Sequence, residues 1–181
     1  MFVHTHNPVK EKQRVIFESY IKKNSKPKSM LTLSADNFIF ENKFSDLDIT
    51  SCEFNRKTYL RAIKNKPDNV TLKYKDIFQE KPLYDVIWLD FCISLSVRTI
   101  NETISYLQQS KASIVGITFQ AQREHLVKDL SLYGASTMDE FRTETFPDLI
   151  YALTGYKLAK LSKYRTDVNM IMYIFKKKTK I

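Results

Sequence analysis

Five short apolar runs, at residues 30–34, 48–52, 69–74, 84–89 and 112–119, recur along the chain with helically spaced segments between them. This alternation constrains the fold more than any other feature. Strands joined through helices lie parallel, because a parallel pair needs a long crossover, and such a sheet is covered on both faces. Among the intervening segments, helical spacing resumes at Phe38, Ile39 and Phe40 after a turn at Ala35-Asp36-Asn37. It returns at 56–64, with Tyr59, Leu60 and Ile63 on one face, and at 97–108, with Val97, Ile100, Ile104 and Leu107. Residues 123–133 and 146–153 read as two more helices. The fourth run, ending at Asp90, is the most apolar and so is expected at the sheet centre.

The two ends differ from this pattern. Residues 9–23 carry Val9, Ile16, Phe17, Tyr20 and Ile21 among lysines, the spacing of an amphipathic helix. At the other end, residues 156–161 alternate apolar and charged side chains, Thr166-Asp167 reads as a turn, and residues 170–175 are nearly all apolar. That is a terminal antiparallel hairpin. A length of 181 residues suits one core rather than two, so we expect a helical extension at 1–27 and a single α/β domain at 28–181.

With 29 basic against 20 acidic side chains, the net charge is +9. A polyanionic partner, nucleic acid above all, is one reading, and a lysine-rich soluble surface is an equal alternative. Both cysteines, Cys52 and Cys92, are expected within buried strands, as small core hydrophobes in a reducing compartment. No apolar run reaches the roughly 20 residues of a membrane span, and His4, His6 and Lys10 stand where a signal peptide needs its apolar core. A soluble, intracellular, unsecreted chain is expected. His4 and His6 lack the clustered partners of a metal site, so no metal is expected.

Five strand–helix units closed by an antiparallel pair resemble the class I S-adenosylmethionine-dependent methyltransferase family, over residues 28 to 178. The resemblance implies a Rossmann-like three-layer α/β sandwich, its mostly parallel seven-stranded sheet ending in a C-terminal antiparallel hairpin with the last strand between the fifth and sixth. It implies S-adenosylmethionine as cofactor. It also places Glu53, at the end of the second strand, on the ribose hydroxyls, Asp76 and Ile77 beside the adenine, Ser34 in the first loop, and Asp90 near the methyl group. Asp90 is then the candidate catalytic residue, as a base or in orienting the acceptor. Ligands of open α/β sheets sit outside the carboxyl ends of the strands, the edge these acids share.

Two departures stand out. The family's first loop is glycine-rich, whereas here it is Leu33-Ser34-Ala35-Asp36-Asn37, without a glycine. Each added Cβ restricts positive φ and close approach of the backbone to a ligand. Glu41, one turn further on, is in reach of the cofactor's amino group, although a solvated helical position is the expectation. The fourth strand leads into Asp90-Phe91-Cys92-Ile93, without the proline pair of the nucleic-acid amino-methyltransferases. Thr118, Phe119, Gln120 and Arg123 are candidates for an acceptor pocket. Three functions follow: a methyltransferase acting on nucleic acid or protein, a methyltransferase-like binding protein without turnover, and a different nucleotide-binding Rossmann enzyme. The last lacks both glycine fingerprints.

Basic residues gather at the ends. Lys10, Lys12, Arg14, Lys22, Lys23, Lys26 and Lys28 lie at one, and Lys157, Lys160, Lys163, Arg165, Lys176, Lys177, Lys178 and Lys180 at the other. Tyr20, Tyr156, Tyr164 and Tyr173 are interleaved, so phosphate tracking with base stacking at these termini is the nucleic-acid expectation.

Overall fold

The computed structural model describes residues 7–24, 26–33, 37–121 and 129–177. Helix α1 (Pro8–Asn24) is followed by β1 (Ser29–Leu33), β2 (Asp48–Glu53), α2 (Arg56–Asn65), β3 (Val70–Tyr74), β4 (Val86–Ser94), α3 (Val97–Gln109) and β5 (Ile114–Gln120). Met138–Glu140 (α4) then passes through a π-helical turn, Phe141–Thr145, into α5 (Phe146–Thr154). The long hairpin of β6 (Tyr156–Arg165) and β7 (Asn169–Lys177) closes the fold.

All seven strands form one sheet in the order β3-β2-β1-β4-β5-β7-β6. The first five are parallel, and β7 inserts antiparallel between β5 and β6. Because β1 lies between β2 and β4, the chain winds outward in opposite directions from that pair. The carboxyl ends of β1 and β4 therefore form the topological switch point.

Helix starts follow their local chemistry. Asn7 Oδ1 accepts the Val9 N–H at 3.0 Å, with Pro8 at the first helical position. Asn55 caps α2 through Lys57 and Thr58, and Ser96 caps α3 through Thr99. Gly155, at φ 76°, ends α5 in the left-handed conformation that a side chain would resist.

The two faces have separate cores. On one, Phe17 and Ile21 of α1, Ala62 of α2 and Phe38, Phe40, Phe44 and Leu47 cover Met30, Ile49, Val86 and Trp88. On the other, α3 and α5 cover Leu31, Ile87, Leu89, Val115 and Ile117. Gly116 lets the first face close. A Cβ there would stand 2.3 Å from Trp88 Cε3 and 2.8 Å from Phe17 Cε2, so the bare backbone of β5 admits the stacked Phe17–Trp88 rings. Tyr156 Oη donates to the Ala112 carbonyl at 2.7 Å, pinning the start of β6 to that of β5.

Four local expectations change. The segment after β1 forms turns and a single 3-10 turn, Glu41–Lys43, instead of a helix. On a helix Phe38 and Phe40 would point about 200° apart, yet both are buried in the α1-side core. β4 runs on to Ser94 through a register shift, so Asp90 lies within the strand and not at its end. Cys92, on that extension, is exposed, whereas Cys52 is buried and its thiol is pushed up to about 12. Of the helix expected at 123–133, residues 122–128 lie outside those described, and Leu130–Tyr133 is a 3-10 turn closed by Gly134. Among the described residues no helix is long and apolar enough to cross a membrane.

Candidate functional site

Helix α1 runs over the sheet with its two halves doing different things. Phe17, Tyr20 and Ile21 in the second half pack on the apolar face, while Lys10, Gln13 and Arg14 in the first half carry the same buried stripe over the carboxyl side of β4. There the Asp90 carboxylate is enclosed. Its Oδ2 lies 2.8 Å from Lys10 Nζ, and its Oδ1 accepts the Thr118 hydroxyl at 2.6 Å. Burial pushes the Asp90 carboxyl up, but the Lys10 ammonium and the hydrogen bonds from Lys10 and Thr118 outweigh it and hold the group below its ordinary value. Burial pulls Lys10 down, and the adjacent Asp90 more than reverses that.

Beside this pair lies a second buried polar group. Thr32 donates to Glu41 Oε1 at 2.7 Å and its hydroxyl is 2.9 Å from that of Ser51. Glu41 is thus buried at 4% exposure rather than solvated, and burial pushes its carboxyl above the usual glutamate range against the Thr32 hydrogen bond. Arg14 is within electrostatic reach of Asp90, Glu41 and Tyr164. Gln13 Oε1, Arg14 Nε, Asn37 Oδ1 and Tyr164 Oη are buried without a hydrogen-bond partner. Natural interiors rarely leave such atoms unmatched unless water or a ligand completes them.

The other sequence-derived candidates lie along the same edge. Glu53 ends β2, half-buried, with Oε1 accepting the Asn55 N–H at 2.6 Å. Asp76 caps the 3-10 turn after β3 by accepting the Phe78 N–H, and the Ile77 side chain is buried in the core. Ser34 and Arg123 lie outside the described residues. Thr118 is bound to Asp90, Phe119 is buried between Phe91 and Phe146, and Gln120 Nε2 donates to the Cys92 carbonyl. Lys10, Gln13, Arg14, Thr32, Ser51 and Tyr164 were not singled out for this edge from sequence. The available signal was the stripe Lys10, Arg14, Phe17, Ile21, which puts charged groups in line with core residues.

The basic ends meet in part, the Tyr20 hydroxyl of α1 donating to the Ala159 carbonyl of β6 at 3.2 Å. Lys157 and Lys160 face the α1 side of β6, whereas Lys163 is on the opposite face, paired with Asp139 at 2.6 Å. Tyr156 and Tyr173 are fully buried, and the Tyr20 ring is covered by Lys176 Nζ at 5.0 Å.

Solved structures share this fold. The N-methyltransferase NodS from Bradyrhizobium japonicum WM9 aligns with TM-score 0.65 at 12% identity, over 94% of this chain and 97% of that one. The fold is that of the class I methyltransferases. NodS in complex with S-adenosyl-L-homocysteine aligns with TM-score 0.60 at 13% identity, over 97% of this chain and 90% of that one. A 16S rRNA adenine methyltransferase from Catenulisporales acidiphilia aligns with TM-score 0.57 at 10% identity, over 92% and 86%. The sequence matches no protein-family model and no curated protein.

The edge residues fit S-adenosylmethionine in chemical type. A strand-end carboxylate suits ribose hydroxyls, Arg14, whose Nη1 is 3.6 Å from Glu11 Oε2 and whose Nε is unmatched, offers an N–H to a carboxylate, and the unmatched Gln13 and Asn37 amide oxygens suit an ammonium. Asp90 suits a sulfonium, and Lys10 is its present counter-ion.

Proposed function

We propose that the chain is an S-adenosylmethionine-dependent methyltransferase, with nucleic acid or protein as acceptor. The observation that carries this reading is the sheet order with its switch point at β1 and β4, where Glu53, Asp76 and Asp90 share one edge. Glu53 accepts the ribose hydroxyls, Asp76 and the backbone at Ile77 flank the adenine, and Ser34, Arg14 and Glu41 surround the methionine end. When bound, the cofactor supplies an electrophilic methyl group on a positively charged sulfur. Asp90 takes up or orients the acceptor's proton only once it is released from Lys10, because an ion-paired carboxylate held below its ordinary pKa is a weak base.

A second reading, a methyltransferase-like binding protein without turnover, is favoured by that same ion pair and by the glycine-free loop. Calorimetric titration with S-adenosylmethionine and S-adenosylhomocysteine tests the shared premise. Glu53→Ala is expected to weaken both by about 1.5–3 kcal/mol, the loss of a hydrogen bond to a charged group. Equal affinity in a folded variant would remove Glu53 from the site. Methyl transfer to a mixed RNA or protein extract then separates the two readings.

A further inference from the structure

The surface with exposed aromatics among cations lies away from the chain ends, on α2 and the neighbouring edge strand. α2 carries Arg56, Lys57, Arg61 and Lys64 and no carboxylate, and Ala62 is its one fully buried residue. Leu60 and Ile63 are about half exposed, at 51% and 49%. Phe54, just before the helix, is 70% exposed. Tyr74, at the carboxyl end of β3, is 54% exposed with its ring centroid 5.2 Å from that of Tyr59. β3 is an edge of the sheet. Aromatic rings held out of the core beside a run of cations match the two requirements of a single-stranded nucleic acid, faces for its bases and charges for its phosphates.

We propose that the α2–β3 edge is a docking surface for single-stranded nucleic acid. Phe54, Tyr59 and Tyr74 stack on bases, and Arg56, Lys57, Arg61 and Lys64 meet phosphates. Charge selects this occupant over a second copy of the chain, which also carries +9. Asp46, Asp48 and Asp68 sit at the opposite, amino edge of the sheet, before β2 and β3 begin or at their first residue. At the carboxyl edge, Glu53 and Asp76 each commit an oxygen to a backbone N–H. The surface adjoins Glu53, so a strand bound there approaches the candidate site from the β3 side. This inference rests on the nucleic-acid reading of the acceptor and is independent of cofactor binding.

The test is fluorescence anisotropy of a labelled, mixed-sequence single-stranded RNA with the full chain, without cofactor, at several salt concentrations. Phe54→Ala and Tyr74→Ala are each expected to weaken binding by roughly 5- to 150-fold, the range for losing a base–aromatic stack. Arg56→Gln with Lys57→Gln weakens all sequences alike and makes the log–log salt slope shallower by about 1.4. Lys157→Gln with Lys160→Gln, on the far edge, leaves affinity within about twofold, with Trp88 fluorescence confirming that each variant is folded. If affinity instead follows the Lys157 and Lys160 pair and ignores Phe54 and Tyr74, the surface assignment is wrong while nucleic-acid binding stands. No binding at low salt overturns both, as does tight binding of an acidic protein in preference to RNA.

Discussion

Gly116→Ala is expected to destabilise the fold by about 3 kcal/mol or more, at the upper end of what overpacking a core costs. The added methyl group would stand 2.3 Å and 2.5 Å from two carbons of the Trp88 ring and 2.8 Å from Phe17. Neither ring can yield easily. Trp88 is stacked on Phe17 with centroids 4.5 Å apart and borders Phe40 at 5.4 Å, and all three are at most 2% exposed. The element that gives way is α1, which carries Phe17. Trp88 is the only tryptophan, so its emission reports this directly. A red shift with a lowered urea midpoint is the expected result. An unchanged midpoint would mean that α1 does not hold Phe17 against the sheet.

Lys10→Met carries the second large effect, an expected loss of about 3 kcal/mol from leaving a buried carboxylate without its counter-ion. The Asp90 side chain is 10% exposed and that of Lys10 20%, so water screens the pair little. Lys10→Met with Asp90→Asn removes both charges and should recover most of the loss. Acid dependence gives a second readout. Because the folded Asp90 pKa lies below its ordinary value near 3.9, its contribution is present above that value and is lost as pH falls through the folded one. Without the ammonium this part of the acid limb should flatten or reverse. If its sulfonium sits beside Asp90, as the methyltransferase reading implies, S-adenosylmethionine should stabilise Lys10→Met more than it stabilises the natural chain. Neutral-sulfur S-adenosylhomocysteine should not. A cost under about 0.5 kcal/mol would place the pair among ordinary surface ion pairs.

The strands were legible because a parallel sheet covered on both sides writes each strand as a short apolar run between turn signals. All five fall where the alternation puts them, and the hairpin runs further than its apolar stretch. Asp90 read as a strand end because the apolar run stops there, while the backbone pairing resumes at Ser94 after an irregular step that side-chain pattern does not encode. The segment after β1 was misread as helical because Phe38, Ile39 and Phe40 supply hydrophobicity without a consistent face. Glu41 illustrates a different limit. Nothing local marks it as buried, since its enclosure comes from Thr32 on β1 and from α1 arriving across the sheet. The exposed apolar side chains of α2 and β3 escaped for the converse reason: the helical spacing of Leu60 and Ile63 and the strand position of Tyr74 suit a core, and only the place of β3 at the edge of the sheet leaves them outside it.

The most direct measurement is a crystal structure of the chain grown with saturating S-adenosylhomocysteine. Density for the nucleoside is expected outside the carboxyl ends of β1 and β2, its ribose hydroxyls donating to Glu53 and its amino-acid end beside Arg14 and Glu41. A structure at the same ligand concentration with that edge closed by α1, and with the nucleoside absent or bound elsewhere, would contradict the cofactor assignment.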